Sequence, residues 1–481
     1  MRGAALSLFA LVSIAIAACG GSPSAPVALP AAPARLAASK SPIEHVVIAI
    51  QENRSFDNLF ATFPGADGAT TGKAAPMPPS IAQNCSKPIT QPTTVPLAQV
   101  SLVGSGSDLN HNHAAFTTAW DGGAMDGFDL EFAGGGGGGP PVCLYEYQYV
   151  NPNDIRPYWD IAKQYVLADR TFQTQASGSF TAHQDLIAGG TQINSNEALI
   201  DTPTYFPWGC DANPPVRTAI IKKSNGKVYR YGGPFPCLSY PTLRDLLDAK
   251  SVSWKFYAMP VQKESGCEHG NTAGLWSAFD AIKAVRYGPE WHANVTRSSL
   301  AIFDDVKKNR LPSVAWVTPD SLNSDHPGER EHQPCQSGGK YEDTGPSWIA
   351  SLVNAIGESP YWKTTAIVIV WDDWGGFYDH VAPPEPRNWQ GGPGFRVPML
   401  IVSPYVKPHV EHTTYEFGSI LRFVEQTWGL GSLGNNDADS KSIGNAFDFT
   451  MAPRKFKKIA APYSREYLLH RQPSTDPPDT D

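Results

Sequence analysis

The stretch 46-VVIAIQENRSFDNLF-60 passes from apolar to polar and charged residues within a few positions. Its first five residues are apolar and mostly β-branched, which is typical of a strand that is covered on both faces. Gln51, Glu52, Asn53 and Arg54 follow at once. In open α/β sheets, ligands bind beyond the carboxyl ends of the strands. We therefore expect a buried strand whose end presents a carboxylate and an amide to a binding site.

The strand pattern recurs along the chain and alternates with helical patterns. Alternating strands and helices predict an α/β fold with a mostly parallel sheet, helices on both faces and long loop insertions. Residues 65–150 and 190–240 break the alternation, and we interpret them as the insertions. The further predicted strands are 253–259, 313–318, 365–371 and 397–404, and the predicted helices are 240–250, 345–359 and 417–430.

A second predicted strand also ends in acids. Residues 365–371 lead directly into Asp372 and Asp373. If this strand end meets that of Glu52 and Asn53, three carboxylates repel one another unless a cation lies between them. Oxygen ligands favour Mg, Ca or Mn over zinc. The two segments together predict one divalent metal ion, whereas each segment alone is equally compatible with strand-end caps or solvated loop acids.

The bulk composition indicates a globular chain. Of its 481 residues, 41% are hydrophobic and 17% are charged, and the formal net charge is −8. Lys and Arg form no long blocks, which argues against nucleic acid as a partner because binding to its backbone needs a basic patch. A single phosphate group, held by a few local side chains, is compatible with this composition.

The N-terminus predicts export. Residues 1–18 have a short basic start and an apolar stretch that is too short for a permanent membrane span. The sequence 16-IAAC-19 predicts a lipoprotein cleaved before Cys19 and lipidated on its sulfur; the alternative is an ordinary signal peptide cut nearby. Residues 19–41 then form a Pro/Ala-rich tether to a membrane, 42–450 the catalytic domain and 451–481 a C-terminal tail.

Six further cysteines predict disulfides in an exported chain, but they allow 15 pairings among which the sequence does not choose. Their spacing does not match a structural zinc site. They are Cys85, Cys143, Cys210, Cys237, Cys267 and Cys335.

Six motifs, in order, resemble the bacterial phosphoesterase family of phospholipases C and acid phosphatases, within the alkaline-phosphatase-like superfamily. The resemblance extends from residue 43 to about residue 429, and it implies an alkaline-phosphatase-like core. The motifs are HVVIAIQENRSFDNLF, DGGAMDGFD, SGSFTAHQDLIAGG, DSLNSDHP, WDDWGGFYDHVAPP and FRVPMLIVSPY.

The resemblance implies roles for individual residues. Glu52 and Asn53 match metal ligands of the family, as do Asp372 and Asp373, although the family carries the longer Glu at the second position of that pair. Ser179 matches the nucleophile, with Thr181 as the alternative hydroxyl.

His111 and His326 lie where the family places histidines that bind phosphate or transfer protons, and the resemblance implies that both are catalytic. Four further side chains are weaker candidates: His183, Arg54 and His380 for binding substrate, and His113. Arg54 either contacts phosphate or braces its turn through Asp57.

These inferences predict an exported, metal-dependent phosphoesterase with a serine nucleophile. The expected substrate is a phosphate ester, and we favour a phospholipid, cleaved as by a phospholipase C. The alternatives are an acid phosphatase acting on phosphomonoesters and, in a different class, a non-catalytic lipoprotein that binds phosphorylated solutes.

Overall fold

An eight-stranded sheet forms the centre of the molecule, in the order β13-β12-β14-β1-β15-β16-β6-β17. The computed structural model describes residues 41–103, 108–134, 137–205, 208–258, 277–296, 298–327, 343–385 and 387–471. The strands are β1 (His45–Gln51), β2 (Thr71–Ala74), β3 (Thr93–Pro96), β4 (Ala98–Val100), β5 (Gln148–Val150), β6 (Val166–Ala168), β7 (Thr171–Phe172), β8 (Gln192–Asn194), β9 (Glu197–Ile200), β10 (Ala219–Lys222), β11 (Val228–Tyr229), β12 (Trp254–Tyr257), β13 (Val295–Thr296), β14 (Val314–Val317), β15 (Thr365–Trp371), β16 (Met399–Val402), β17 (His409–Glu411) and β18 (Tyr415–Glu416).

The central strands are parallel. β1 pairs in parallel with both β14 and β15, and β12 pairs in parallel with β13 and β14. β16 alone runs against its neighbours in this sheet, β15 and β6. Because the five predicted strands all belong to this sheet, the mostly parallel α/β prediction is confirmed.

Helices cover both faces of the sheet. Trp316 of β14 and Val368 of β15 both pair with Ile48 of β1, so their side chains point to the same face of the sheet. On this face, the Trp316 indole donates to the carbonyl of Leu186. Trp371 lies three residues after Val368, so it points to the other face, where its ring packs on Tyr158. The helices are α1 (Phe56–Phe60), α2 (Pro79–Ala82), α3 (His113–Trp120), α4 (Arg156–Gln164), α5 (Ser179–Ala188), α6 (Leu243–Ala249), α7 (Lys283–Arg286), α8 (Glu290–Ala293), α9 (Ala301–Lys307), α10 (Gly345–Gly357), α11 (Phe417–Trp428), α12 (Asn436–Asp439) and α13 (Arg465–His470).

The two predicted insertions have structure of their own. Residues 65–150 contain β2 to β5, α2 and α3, and a disulfide joins Cys85 to Cys143. Residues 190–240 contain a small antiparallel sheet in the order β11-β10-β9-β8, and a second disulfide joins Cys210 to Cys237.

The remaining predictions on export concern residues outside the described ranges. The signal, Cys19 and the tether up to residue 40 lie there, as do Cys267 and Cys335. Within the described ranges, none of the helices has the length and apolar character needed to cross a membrane. Residues 451–471 pack against the domain, where Ile459 is buried and exchanges hydrogen bonds with Asn354 of α10.

Candidate active site

The carboxyl ends of β1 and β15 bring the predicted acids together. The ladder between the two strands continues beyond them, because the amide of Asp372 donates to the carbonyl of Gln51 at 2.9 Å. Two residues after Gln51, the amide of Asn53 donates to Oδ1 of Asp372 at 3.0 Å. Asn53 has φ of +49°, a left-handed conformation that Asn tolerates better than most residues. The left-handed turn aims its amide at the facing strand end.

Gly375 lets the second turn pack against the first. It has φ of +62°, and a Cβ at this position would lie 2.2 Å from the carbonyl oxygen of Asn53. A larger residue would push the two strand ends apart. The contact between the two turns therefore requires a glycine at position 375, the first of the two in WDDWGG.

Asp372 has one carboxylate oxygen that accepts no hydrogen bond from the described residues. Oδ1 accepts from the amides of Asn53 and Asp373, the latter at 2.7 Å. Oδ2 is buried and has no hydrogen-bond partner among the described residues, and it lies 3.7 Å from Nε2 of His183. A buried carboxylate oxygen without a partner costs free energy, and a cation at this position would remove that cost.

Ser179 lies beside the acids, at the first position of α5. Its side chain is 1% exposed. Its Oγ is 3.0 Å from Oδ2 of Asp373 and 3.4 Å from Oδ1 of Asn53. The Thr181 hydroxyl instead donates to the carbonyl of Asp201 at 3.0 Å. Of the two predicted hydroxyls, Ser179 is the one in contact with the predicted metal ligands.

His111 fixes the orientation of the Asn53 amide. Its Nδ1 lies 2.7 Å from the carbonyl oxygen of Leu109, which assigns the proton to Nδ1 and leaves Nε2 as an acceptor. Nε2 then accepts from Nδ2 of Asn53 at 3.1 Å, so that Oδ1 of Asn53 faces Ser179. Nε2 is also 3.5 Å from Asp373.

His183 lies one helical turn after Ser179 and contacts Glu52. Its Nε2 is 3.0 Å from Oε1 of Glu52. Burial lowers the pKa of His183 to about 4, although Asp372 acts in the opposite direction. Its Nδ1 is buried without a partner among the described residues. An unpaired acceptor is cheaper than an unpaired N–H, so the proton belongs on Nε2, where it is donated to Glu52.

The sequence predicts only substrate binding for His183, and it does not predict the contact with Glu52. The spacing of Ser179 and His183 does indicate that both face the same site, because residues four apart share one face of a helix.

His326 lies on a loop that contacts the same strand end. The amide of Glu52 donates to the carbonyl of Ser324 at 2.8 Å. His326 is 5% exposed, and its Nδ1 lies 3.0 Å from the carbonyl oxygen of Pro327. This contact assigns the Nδ1 proton and leaves the ring's Nε2 on the opposite side.

Arg54 braces the turn from behind. Its Nε donates to the carbonyl of Asp325 at 2.8 Å, its Nη1 donates to Asn58 at 3.3 Å, and its guanidinium lies over the ring of Phe377. Burial lowers the pKa of Arg54, and the charges of Asp343 and Asp325 oppose that effect. The predicted contact of Arg54 with phosphate and the predicted brace through Asp57 both stay predictions.

His380 belongs to a second cluster. Its Nδ1 contacts Oδ2 of Asp57 at 2.7 Å and its Nε2 contacts Asp67 at 3.3 Å. Burial lowers the pKa of His380, but the hydrogen bond and charge of Asp57 outweigh burial and raise the pKa above its ordinary value. Arg396 closes the cluster with bonds to Asp379 and Asp57. The predicted role of His380 in substrate binding stays a prediction.

The donor set of the first cluster suits a hard divalent cation. Glu52, Asn53, Asp372 and Asp373 supply only oxygen, and the open Oδ2 of Asp372 is buried among them. Ligand atoms of Glu52, His183 and Asp372 all lie within 4.8 Å of one another. The four oxygen donors fit one Mg, Ca or Mn ion, and His183 lies next to them. In the second cluster, the guanidinium of Arg396 already supplies the positive charge beside the carboxylates.

The sequence pattern of the Phosphoesterase family matches residues 43–431, and the chain belongs to that family. The family and its phospholipase C relatives show that the chain is a phosphoric ester hydrolase. This result confirms the resemblance found in the six motifs.

Curated relatives with similar sequences are phospholipases C. Phospholipase C B of Mycobacterium tuberculosis is 27% identical over 474 residues, covering 86% of this chain and 79% of the relative. Non-hemolytic phospholipase C of Pseudomonas aeruginosa is 27% identical, covering 81% and 54%. Non-specific phospholipase C6 of Arabidopsis thaliana is 22% identical, covering 86% and 74%. Among solved structures, a protein in the alkaline phosphatase superfamily from Vibrio parahaemolyticus matches with a TM-score of 0.34 and 12% identity, covering 70% of this chain and 71% of the other.

Proposed function

We propose that this hydrolase cleaves phospholipids in the manner of a phospholipase C, with Ser179 as the nucleophile beside one divalent cation. The observation that carries the proposal is the position of the Ser179 hydroxyl. It is buried at the start of α5, within 3.4 Å of both Asn53 and Asp373. The names of the curated relatives support the choice of phospholipids over other phosphate esters.

The proposed ligands are Glu52, Asn53, Asp372 and Asp373. A cation held by these oxygens would lower the pKa of the Ser179 hydroxyl and offset the negative charge of the phosphate. His183 keeps the Glu52 carboxylate in place by donating from Nε2, and His111 keeps the Asn53 amide turned toward Ser179. Second-sphere contacts of this kind commonly decide how well a site is formed.

In the first step, Oγ of Ser179 forms a bond to phosphorus and the bond from phosphorus to the glycerol oxygen breaks. The hydroxyl proton passes to Asp373, which accepts its hydrogen bond at 3.0 Å. The departing alkoxide takes a proton from Nε2 of His326, which acts as the imidazolium while its Nδ1 proton stays hydrogen-bonded to the Pro327 carbonyl; the loop of His326 lies against Glu52. Proton transfer to a leaving group by a positioned histidine typically contributes 10²- to 10⁴-fold to the rate.

In the second step, the oxygen of water bonds to phosphorus on the side that the glycerol oxygen left, and water gives a proton to His326. The bond from phosphorus to Oγ of Ser179 breaks, Oγ regains its proton from Asp373, and the phosphomonoester leaves. The same side chains therefore act in both steps, and both are returned to their starting protonation states.

Export as a lipoprotein remains part of the proposal. The disulfides Cys85–Cys143 and Cys210–Cys237 support it, because disulfides persist in oxidising compartments and are rare in the cytosol. Labelling of cells with a radioactive fatty acid, comparing the native chain with Cys19→Ala, tests the anchor directly.

The test of the chemistry compares Ser179→Ala with Thr181→Ala. We expect Ser179→Ala to lower kcat on phosphatidylcholine by roughly 10³-fold or more. Thr181→Ala removes a hydroxyl from the same helix, and we expect it to retain activity within about tenfold. Equal losses in the two variants would contradict the proposal. Hydrolysis of p-nitrophenyl phosphate without any hydrolysis of phosphatidylcholine would indicate a phosphatase instead.

A further inference from the structure

A basic and aromatic hairpin projects from the small sheet of the second insertion. Residues 212–244 contain six Lys or Arg residues and no Asp or Glu, in a chain whose net charge is −8. The strands β10 and β11 pair antiparallel within this segment, and every residue of the run 223–232 is exposed. The positive charge of this region therefore faces solvent.

The three cations within the exposed run 223–232 have no ion pair among the described residues. Lys222 contacts Glu197 at 3.1 Å. Lys223, Lys227 and Arg230 pair with none of the carboxylates in the part of the chain that the structure describes. Lys and Arg that lack such partners remain available to an anionic surface.

Tyrosines lie among the cations. Tyr231 is 66% exposed and Tyr229 is 38% exposed, and Arg230 stands over the ring of Tyr231. Tyrosine prefers the boundary between lipid headgroups and acyl chains, because one end of its side chain is apolar and the other polar. Exposed tyrosines between lysines and arginines are the composition expected of a surface that rests on a bilayer.

The hairpin is connected to the segment that carries the nucleophile. β10 pairs with β9, with Ala219 opposite Ile200. The next residue, Asp201, accepts a hydrogen bond from Thr181 of α5 through its carbonyl and donates one from its amide to Ser177 at 2.6 Å. The sheet is thus attached to the start of α5, where Ser179 lies.

We propose that residues 222–231, the basic hairpin, dock this enzyme on anionic phospholipid bilayers. The inference deepens the phospholipase proposal and rests on it for the choice of a lipid surface. The complementary charge comes from anionic headgroups, and each cation near such a surface adds to affinity. Docking through the basic hairpin would hold the start of α5 close to the lipid from which a substrate is drawn.

A matched pair of variants tests the proposal. The hairpin variant changes Lys223, Lys227 and Arg230 to Gln. The control changes Lys455, Lys457 and Lys458 to Gln, which alters the net charge equally. These lysines flank Phe456, whose ring packs on Trp362 just before β15, at the edge of the sheet opposite the acids.

Binding is measured by co-sedimentation of the full chain, inactivated by Ser179→Ala, with vesicles. One vesicle is phosphatidylcholine and the other is equimolar phosphatidylcholine and phosphatidylglycerol. We expect the parent protein to prefer the anionic vesicle. The hairpin variant should lose about tenfold or more of that affinity, since three cations are removed, and the control should lose much less.

Hydrolysis of soluble p-nitrophenylphosphorylcholine, measured in chains that retain Ser179, separates the two proposals. We expect the hairpin variant to keep the parent rate on this ester. Vesicle binding without hydrolysis of any ester would refute the catalytic proposal and leave docking intact. Docking is refuted by equal losses in the hairpin variant and the control, by no preference for the anionic vesicle, or by equally tight binding of double-stranded DNA to the basic hairpin.

Discussion

Asp325 holds the His326 loop by its side chain, and its replacement is expected to destabilise the protein strongly. Its Oδ2 accepts from Tyr158 at 2.6 Å and from the Trp371 indole at 3.0 Å. Asp325 has φ of +74°. Asp325→Ala leaves two buried donors unpaired, at about 1–3 kcal/mol each, and puts Ala in a left-handed conformation, at about 1 kcal/mol. The expected loss in the free energy of unfolding is therefore about 4 kcal/mol.

Two matched variants separate the side chain from the backbone. Asp325→Asn keeps an oxygen acceptor and tolerates positive φ, so we expect a loss of about 1 kcal/mol from the missing charge beside Arg54. Asp325→Gly tolerates the conformation but lacks the acceptor, and its loss should exceed that of Asn by about 2 kcal/mol.

The assay is urea unfolding followed by tryptophan fluorescence with the disulfides intact, together with kcat on phosphatidylcholine. We expect the loss in the free energy of unfolding to increase in the order Asn, Gly, Ala. If Ala and Asn both cost less than about 1 kcal/mol, the hydrogen bonds of Asp325 do not hold the loop. If Asn unfolds as readily as Ala, charge rather than hydrogen bonding is responsible.

Two further predictions concern buried acids. Burial raises the pKa of Glu131 from 4.5 to about 7, so its contribution to stability is full below pH 4.5 and is lost as the pH rises through 7. Relative to Glu131→Gln, the free energy of unfolding of the native chain should fall by on the order of 2 kcal/mol over that range. A difference between the two chains that stays the same at all pH values in urea unfolding would contradict this prediction. Arg396 donates to both oxygens of Asp379 and to Asp57, so Arg396→Lys, which has no planar fork, should cost about 3 kcal/mol or more in thermal or urea unfolding. His380→Gln in the same cluster is the control, and an equal loss there would count against the importance of the guanidinium.

The sequence predicted what local pattern encodes. The apolar runs located the central strands, and the acids that follow β1 and β15 were expected at one edge because parallel strands share the direction of their ends. The structure agrees, with Asn53 bonded to Asp372. Strands of two to four residues, such as β11 and β13, carry too little pattern to be recognised in this way.

The sequence did not predict contacts between residues that are far apart in the chain. Arg54 meets Asp325 across 271 positions, and its neighbours in sequence do not reveal that partner. The pairing of Cys210 with Cys237 was one of many possibilities. The charge of the basic hairpin was readable from the sequence, but its exposure depends on the small sheet that presents it.

The proposed function depends on one divalent cation that the ends of β1 and β15 hold beside Ser179. Calorimetric titration of chelator-treated protein with Mn²⁺ measures whether this cation binds. We predict one ion per chain. Asp372→Asn should lower the affinity more than about 100-fold, which exceeds the effect typical of residues that contact only the metal ligands, and Thr181→Ala should leave the affinity unchanged. Absence of binding in the native chain, or equal affinity in Asp372→Asn, would refute the proposed metal site.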